Sequence, residues 1–248
     1  MHDQKADMLN VFLSAEALKD IVNAKLIWQN NEDVTNAGEV STQTSLFKKD
    51  KSIQAHTILQ PSQVIISDSV WNIRKSDVYF HSDSLISINN FLFENERQFI
   101  HIDGKASKSQ QDSLIVSTND LNLDYIMQLL RLRGIKFGGS ITGKLKLFSL
   151  LKEPIFLGNL DVKNFSLNDK IIADAVVSST WDKINSRLLI NGDFTNKKQE
   201  VVAKATGIFV PRNDSLDLKV DARKFPLEFL NRYFEGVASD FNGDAAGI

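Results

Sequence analysis

The chain contains no cysteine, and its 248 residues include only four prolines and twelve glycines. Without thiols there are no disulfides, no thiolate metal sites and no cysteine catalysis, a composition compatible with both cytosol and periplasm. Scarce glycine and proline argue against many tight hairpins and for longer strands joined by polar loops. No window approaches the run of about twenty apolar residues that spans a bilayer, so the sequence reads as soluble. The start, Met1-His2-Asp3-Gln4-Lys5-Ala6-Asp7, lacks the apolar core of a signal peptide. An exported protein would therefore carry its signal or anchor outside these residues. Charge of one sign is missing too: 29 basic residues against 31 acidic leave no field to steer the protein toward nucleic acid.

What is present is alternation with a period of two. Val40, Thr42, Thr44 and Leu46 alternate with polar neighbours, as do Ile53, Ala55, Thr57 and Leu59. Ile100, Ile102, Gly104 and Ala106 form another face, then Ile141, Gly143, Leu145 and Leu147, then Phe156, Gly158, Leu160 and Val162. Ala173, Ala175, Val177, Ser179 and Trp181 follow, with Leu188, Ile190 and Phe194, and finally Leu216, Leu218, Val220 and Ala222. Polar punctuation such as Lys48-Lys49-Asp50-Lys51 and Arg212-Asn213-Asp214 separates the runs. The pattern predicts a meander of antiparallel strands, apolar on one face and polar on the other. Leu9, Val11 and Leu13 extend it to the N-terminus.

Two stretches break the rhythm, and they resemble each other at an offset of 104 residues. Leu123, Asp124, Tyr125 and Ile126 correspond to Leu227, Glu228, Phe229 and Leu230, and Phe137-Gly138-Gly139 to Phe241-Asn242-Gly243. Tyr125, Ile126, Leu129 and Leu130 form one helical stripe, which predicts a short amphipathic helix over 124–133. Phe229, Leu230, Tyr233 and Phe234 form the matching stripe over 226–234, with Pro226 suited to the first helical position. Asp124 and Glu228 fall in the first turns, where the helix dipole favours an anion, and Gly134 and Gly236 supply stops. A repeated unit normally belongs to an extended array, since each unit needs neighbours to cover its apolar face. The second copy ends at Ile248 while the first runs on into Lys144-Leu145-Lys146-Leu147, which predicts a piece of a longer protein. Residues 1–111 read as a strand array and 112–248 as the repeat-containing segment, together one continuous structural unit.

Motifs for chemistry are poor. Gly138-Gly139-Ser140-Ile141-Thr142-Gly143-Lys144 fits most of a phosphate-binding loop, but Leu145 replaces the magnesium-holding hydroxyl and a strand follows where a helix is needed. Asp240-Phe241-Asn242-Gly243-Asp244 opens like a calcium loop, yet Ala245 stands at its obligatory glycine. His2, His56, His81 and His101 fall on different strands; His101 and Asp103 share a face, but a metal site needs three or more converging ligands. The sequence offers no catalytic, cofactor or metal site.

The order of elements nevertheless resembles a family. An alternating array, a short helix of the type Leu-x-Leu-Asp-Tyr-Ile from Leu121, a glycine-rich strand start, Gly143-Lys144-Leu145-Lys146-Leu147, a linker with Pro154, and Leu157-Gly158-Asn159-Leu160-Asp161-Val162 are similar to repeats of TamB-like and, more distantly, AsmA-like proteins. The likeness is best over 112–248; over 1–111 only the strand rhythm supports it. It implies a mostly β fold, a long curled antiparallel sheet of the β-taco kind with two short helices. The resemblance also implies a periplasmic segment of an inner-membrane-anchored protein, non-enzymatic and without cofactors. Such proteins serve outer-membrane biogenesis, through outer-membrane protein assembly, phospholipid transport between the membranes, or both. Its partners would be acyl chains in an apolar groove and an outer-membrane barrel protein, not nucleic acid. The groove lining expected on this reading is Ala173, Ala175, Val177, Trp181, Leu188, Ile190, Phe194, Leu216, Leu218 and Val220. Two other classes stay open. One is a solid-core β scaffold or adhesin-like module that binds no lipid. The other is a glycan-binding or hydrolase module, for which Trp28, Trp71 and Trp181 lie far apart in sequence.

Overall fold

The computed structural model describes residues 10–30, 36–49, 51–82, 84–123, 137–167, 169–213, 215–226 and 244–247, most of them in strands. Every pair of strands with a defined register is antiparallel. The chain forms two compact units, 1–116 with 148–152, and 117–147 with 153–248.

The first unit begins with β1 (Phe12–Leu18), β2 (Ile21–Gln29) and β3 (Ala37–Lys49). It continues through β4 (Ser52–Leu59), β5 (Ser62–Ile66), β6 (Ser69–Ile73) and β7 (Ser76–Phe80) to β8 (Ile86–Asn95) and β9 (Gln98–Ala106). Strands β4 and β5 are halves of one long strand. Leu59 lies opposite Thr42 and Gln63 opposite Glu39, so a single extra residue is taken up at Gln60-Pro61. Strands β6 and β7 are likewise continuous, with Ile73 opposite Phe93 and Asp77 opposite Asn89, interrupted only at Arg74-Lys75. Pro61 has no N–H for the ladder, which places the break. On the apolar face Trp71 is buried to 1% exposure, opposite Val64, and stacks on Phe93 with ring centroids 4.8 Å apart.

In chain order β10 (Ser113–Asn122) follows, and the division between the units falls within it. The second unit is built on β11 (Phe137–Phe148), β12 (Ile155–Leu167), β13 (Lys170–Asp182), β14 (Arg187–Thr195), β15 (Val201–Val210), β16 (Ser215–Pro226) and β17 (Asp244–Gly247), with a 3-10 turn over Pro211–Asn213. Gly138–Lys144 lies inside β11 as extended strand. A Cβ at Gly139 (φ +119°) would come within 2.6 Å of the Lys163 carbonyl oxygen, so glycine here serves close strand packing.

Composition misled on the turns. Two-residue hairpins are common: Leu18 pairs with Ile21, Ile66 with Ser69, Asn95 with Gln98 and Leu167 with Lys170. Their left-handed positions are filled by Lys19, Ser67, Asp68, Glu96 and Asp169, with φ between 49° and 68°. Ser67-Asp68, positive at both, is a type I′ turn. Asp and other non-glycine residues accept this conformation at a modest steric cost, so scarce glycine did not exclude tight turns.

Bulges punctuate the strands on a regular plan. In β8 the register shifts between Ile88 and Phe91, Asn90 takes φ 54°, and its N–H donates to Asp103 Oδ1 at 3.0 Å. In β12 the shift lies between Val162 and Phe165, Asn164 takes φ 51°, and its N–H donates to Asp174 Oδ1 at 2.8 Å. Asp120 in β10 has φ 48° and donates its N–H to Thr142 Oγ1 at 2.9 Å. Further shifts put an extra residue in β15 at Val202, opposite the Phe194/Thr195 step of β14, and in β16 between Ala222 and Phe225. A bulge bends its strand and raises the local twist, and at Asn90, Asp120 and Asn164 a side chain from the next strand holds the N–H. Asp103, paired on sequence grounds with His101, has this structural task.

The helices expected over 124–133 and 226–234, with Tyr125, Ile126, Leu129, Leu130, Phe229, Leu230, Tyr233 and Phe234, lie outside the described residues. Pro226, expected to open the second helix, instead closes β16. The calcium-like stretch is outside as well, except Asp244, which begins β17.

Candidate functional site: an apolar groove in the second unit

Directly opposite residues of an antiparallel pair share a face, so the registers define rows across the sheet. The first row is Trp181, Leu188, Phe209 and Leu216 on β13 to β16. The next adds β12 and reads Gly158, Ser179, Ile190, Gly207 and Leu218. Leu160, Val177, Gly192, Ala205 and Val220 follow, then Val162, Ala175, Phe194, Ala203 and Ala222. All ten residues expected to line a groove therefore belong to one apolar face. Ala173, opposite Phe165, begins the row beyond.

Size variation along the rows makes space on that face. Gly158, Ser179 and Gly207 in the second row and Gly192 and Ala205 in the third leave a trough beside larger neighbours. An open cavity of about 330 Å³ occupies it, bordered by Leu145, Phe156, Leu160, Val177, Ile190 and Phe209 among others. Four expected residues line this cavity: Val177, Leu188, Ile190 and Leu216. Leu188 forms its floor at 3% exposure. At the far end the face is filled. Ala173, Ala175, Val162 and Ala203 are buried, and the Phe194 ring packs edge-on against Phe165 at 5.4 Å, which stacks on Phe137 at 5.8 Å. Along β16 the face lies open, with Leu216, Leu218 and Val220 all exposed.

Sequence reasoning had read the strand faces carrying Leu145, Phe156 and Leu160 but had not joined them to the groove, because register between β11, β12 and β13 is a tertiary fact. Phe209 was missed. In Gly207-Ile208-Phe209-Val210 the apolar residues run together and hide the alternation.

The reverse face carries the charges. Lys204 pairs with Asp193 at 3.1 Å, and Lys163 with Asp174 at 3.3 Å. The Asp174 carboxyl is held below its ordinary range, first by the Asn164 N–H and then by Lys163. In the β13–β14 turn, Asp182 accepts from the Asn185 side chain at 2.8 Å, from the Ile184 and Asn185 N–H groups at 3.2 Å and from Arg187 Nε at 2.9 Å. The Asn185 side chain foremost, then its N–H and Arg187, lower the Asp182 pKa to about 2. These groups fix turns and bulges outside the groove.

The first unit gathers a cluster that sequence spacing had scattered. His56 Nε2 lies 2.7 Å from Asp77 Oδ1 and its ring stacks on Tyr79 at 4.1 Å; Tyr79 stacks on His81 at 6.3 Å, and His81 Nε2 is 3.1 Å from Ser87 Oγ. This is not a Ser-His-Asp relay. The carboxylate contacts one imidazole and the hydroxyl the other, so neither histidine joins base to nucleophile. His101 instead contacts Asn90 Oδ1 at 3.0 Å. Among the described residues no three His, Asp or Glu side chains converge as metal ligands, and no helix is long and apolar enough to cross a membrane.

Comparison of the chain with protein-family models, with curated proteins and with solved structures finds no match.

Proposed function

We propose that the chain is a non-enzymatic, TamB-like segment whose second unit shelters a hydrocarbon chain in an apolar trough, as part of outer-membrane biogenesis in the periplasm. The observation that carries this reading is the open cavity of about 330 Å³ on a face of Leu, Ile, Val and Phe side chains. Its lining runs from Leu145 on β11 to Leu216 on β16. Six neighbouring strands at about 4.8 Å spacing span roughly 24 Å across the strand direction. A cavity of about 330 Å³ drawn out over that length is narrow and open along one side, so it can take one partly exposed acyl chain and not two. Burying ten methylenes is worth roughly 8 kcal/mol gross; association costs about 4 kcal/mol or more. The balance suits a ligand that is held loosely and passed on.

Bulges in β12, β15 and β16 supply bends that a curled sheet requires, which supports the β-taco form of the fold. The periplasmic location, the membrane anchor elsewhere in the protein and the outer-membrane barrel partner rest on the family resemblance alone. One observation favours the solid-core scaffold instead: the Phe137–Phe165–Phe194 cluster closes the same face at one end. Titrating delipidated protein with a fluorescent fatty acid separates the two. Saturable binding, lost on Ile190→Asp, supports the trough. Absence of binding by the folded protein would favour the scaffold.

A further inference from the structure

A second open cavity, of about 750 Å³, lies on the polar face of the first unit. It is centred where the ladder is interrupted in two adjacent strands, at Gln60-Pro61 between β4 and β5 and at Arg74-Lys75 between β6 and β7. Its walls are planar polar groups already paired with one another. Gln63 Nε2 donates to Asn72 Oδ1 at 3.1 Å, and Arg74 Nε to Glu94 Oε1 at 2.6 Å. Glu39 is held at 2.6 Å by Lys25. Register puts Glu39, Gln63, Asn72 and Glu94 in one straight row across β3, β5, β6 and β8.

This chemistry excludes most ligand classes. A cofactor or drug-like molecule wants a largely apolar pocket with few polar groups, whereas here eight of the ten lining residues are polar. Nucleic acid wants a strongly positive surface. The cleft is lined by Arg74 and Lys75 against Glu39 and Glu94; Glu39 is already paired with Lys25 beside the cleft and Glu94 with Arg74, which leaves one positive charge over. What a row of amides, a guanidinium and carboxylates can satisfy is a ligand that both donates and accepts at regular intervals. Side-chain amides offer two donors and an acceptor with two lone pairs, and a guanidinium offers five donors in a fixed fork. Because the partners are held against each other, little side-chain entropy is lost when a ligand arrives. The surplus charge has an address. Lys75 borders the cleft and, among the described residues, meets no carboxylate.

We propose that this cleft binds a glycan carrying an acidic group, its hydroxyls and amides paired with Gln63, Asn72, Arg74 and Glu94, and its carboxylate facing Lys75. The site is independent of the apolar trough. Recognition is by hydrogen bonding along the sheet, so it does not need the tryptophan platform whose absence counted against a glycan module in the sequence.

The test uses the whole chain and three probes: a tetrasaccharide alternating N-acetylglucosamine with glucuronate, the neutral N-acetylglucosamine tetramer, and a hexaglutamate peptide. Side-chain NH₂ signals of Gln63 and Asn72 are followed by NMR during each titration. The uronate saccharide should shift both signals saturably and bind about threefold more tightly than the neutral one, the usual worth of one exposed ion pair. Lys75→Gln should abolish that difference and leave the neutral saccharide unchanged, whereas Asn72→Ala should weaken both. Both substituted positions are surface-exposed, and an unchanged backbone spectrum verifies the fold of each variant. The proposal is overturned if neither saccharide moves these signals, if Lys75→Gln leaves the preference intact, or if hexaglutamate binds as tightly as the uronate saccharide.

Discussion

A carboxylate placed at two points of β14, two residues apart on the same face, separates trough from core within one strand. Leu188 is 3% exposed on the floor, opposite Trp181 and Phe209, whereas Ile190 is half-buried on the wall between Ser179 and Gly207. Leu188→Asp forfeits about 1.5–3 kcal/mol of side-chain burial and buries a carboxyl without a partner, for several kcal/mol more. The sum is a large share of the roughly 5–15 kcal/mol that holds a typical domain together. Ile190→Asp forfeits about half as much burial, near 1 kcal/mol, and its carboxylate can reach water in the open groove. The two variants should therefore differ by about 3 kcal/mol or more, which at a urea slope of about 1–3 kcal/mol per molar separates their midpoints by at least about 1 M. Urea unfolding followed by circular dichroism measures the gap, and native mass spectrometry after gentle purification reports bound lipid. Ile190→Asp should fold and arrive empty. Equal, severe losses at both positions would show that Ile190 lines a sealed core and would refute the trough.

Other outcomes follow from the same geometry. Gly158→Ala places a Cβ against the Lys144 carbonyl oxygen of the neighbouring strand and should lower stability by about 1–3 kcal/mol, read from thermal unfolding. Asp174→Ala leaves the displaced N–H of Asn164 without its acceptor and should cost about 1 kcal/mol, the low end for a charged hydrogen bond because the site is exposed, with amide exchange at Asn164 accelerated. Asp174 and Asp182 both have lowered pKa values in the folded chain. Protons therefore bind the unfolded form more readily, so their stabilisation is complete above about pH 4 and is lost as pH falls, for Asp182 through about pH 2. Urea midpoints that hold steady from pH 6 to 4.5 and then fall, with a shallower fall in Asp182→Asn, would bear this out; a midpoint that rises on acidification would contradict it.

The strands were legible because a half-buried strand must alternate, and β3, β4, β9 and β11 to β14 carry that alternation cleanly. Val64 escaped notice because the extra residue at Gln60-Pro61 shifts the phase of its strand, which has no other mark. Turn type was misjudged for a related reason. Glycine is the cheapest left-handed residue but not the only one, and Lys19, Ser67, Asp68 and Glu96 fill those positions here.

Faces belonged to the sequence; neighbours did not. That Ala173 to Trp181 share a side follows from the geometry of one strand. That Phe194 meets Phe165 and closes one end, while Gly158, Ser179 and Gly207 align and open the other, depends on register across β12 to β15. Register is set by hairpin length and by bulges, each worth one residue, and a one-residue slip would turn a whole strand face outward. Alternation alone determined that this protein would have an apolar face. Only the tertiary pairing decided where that face is filled and where it stands open.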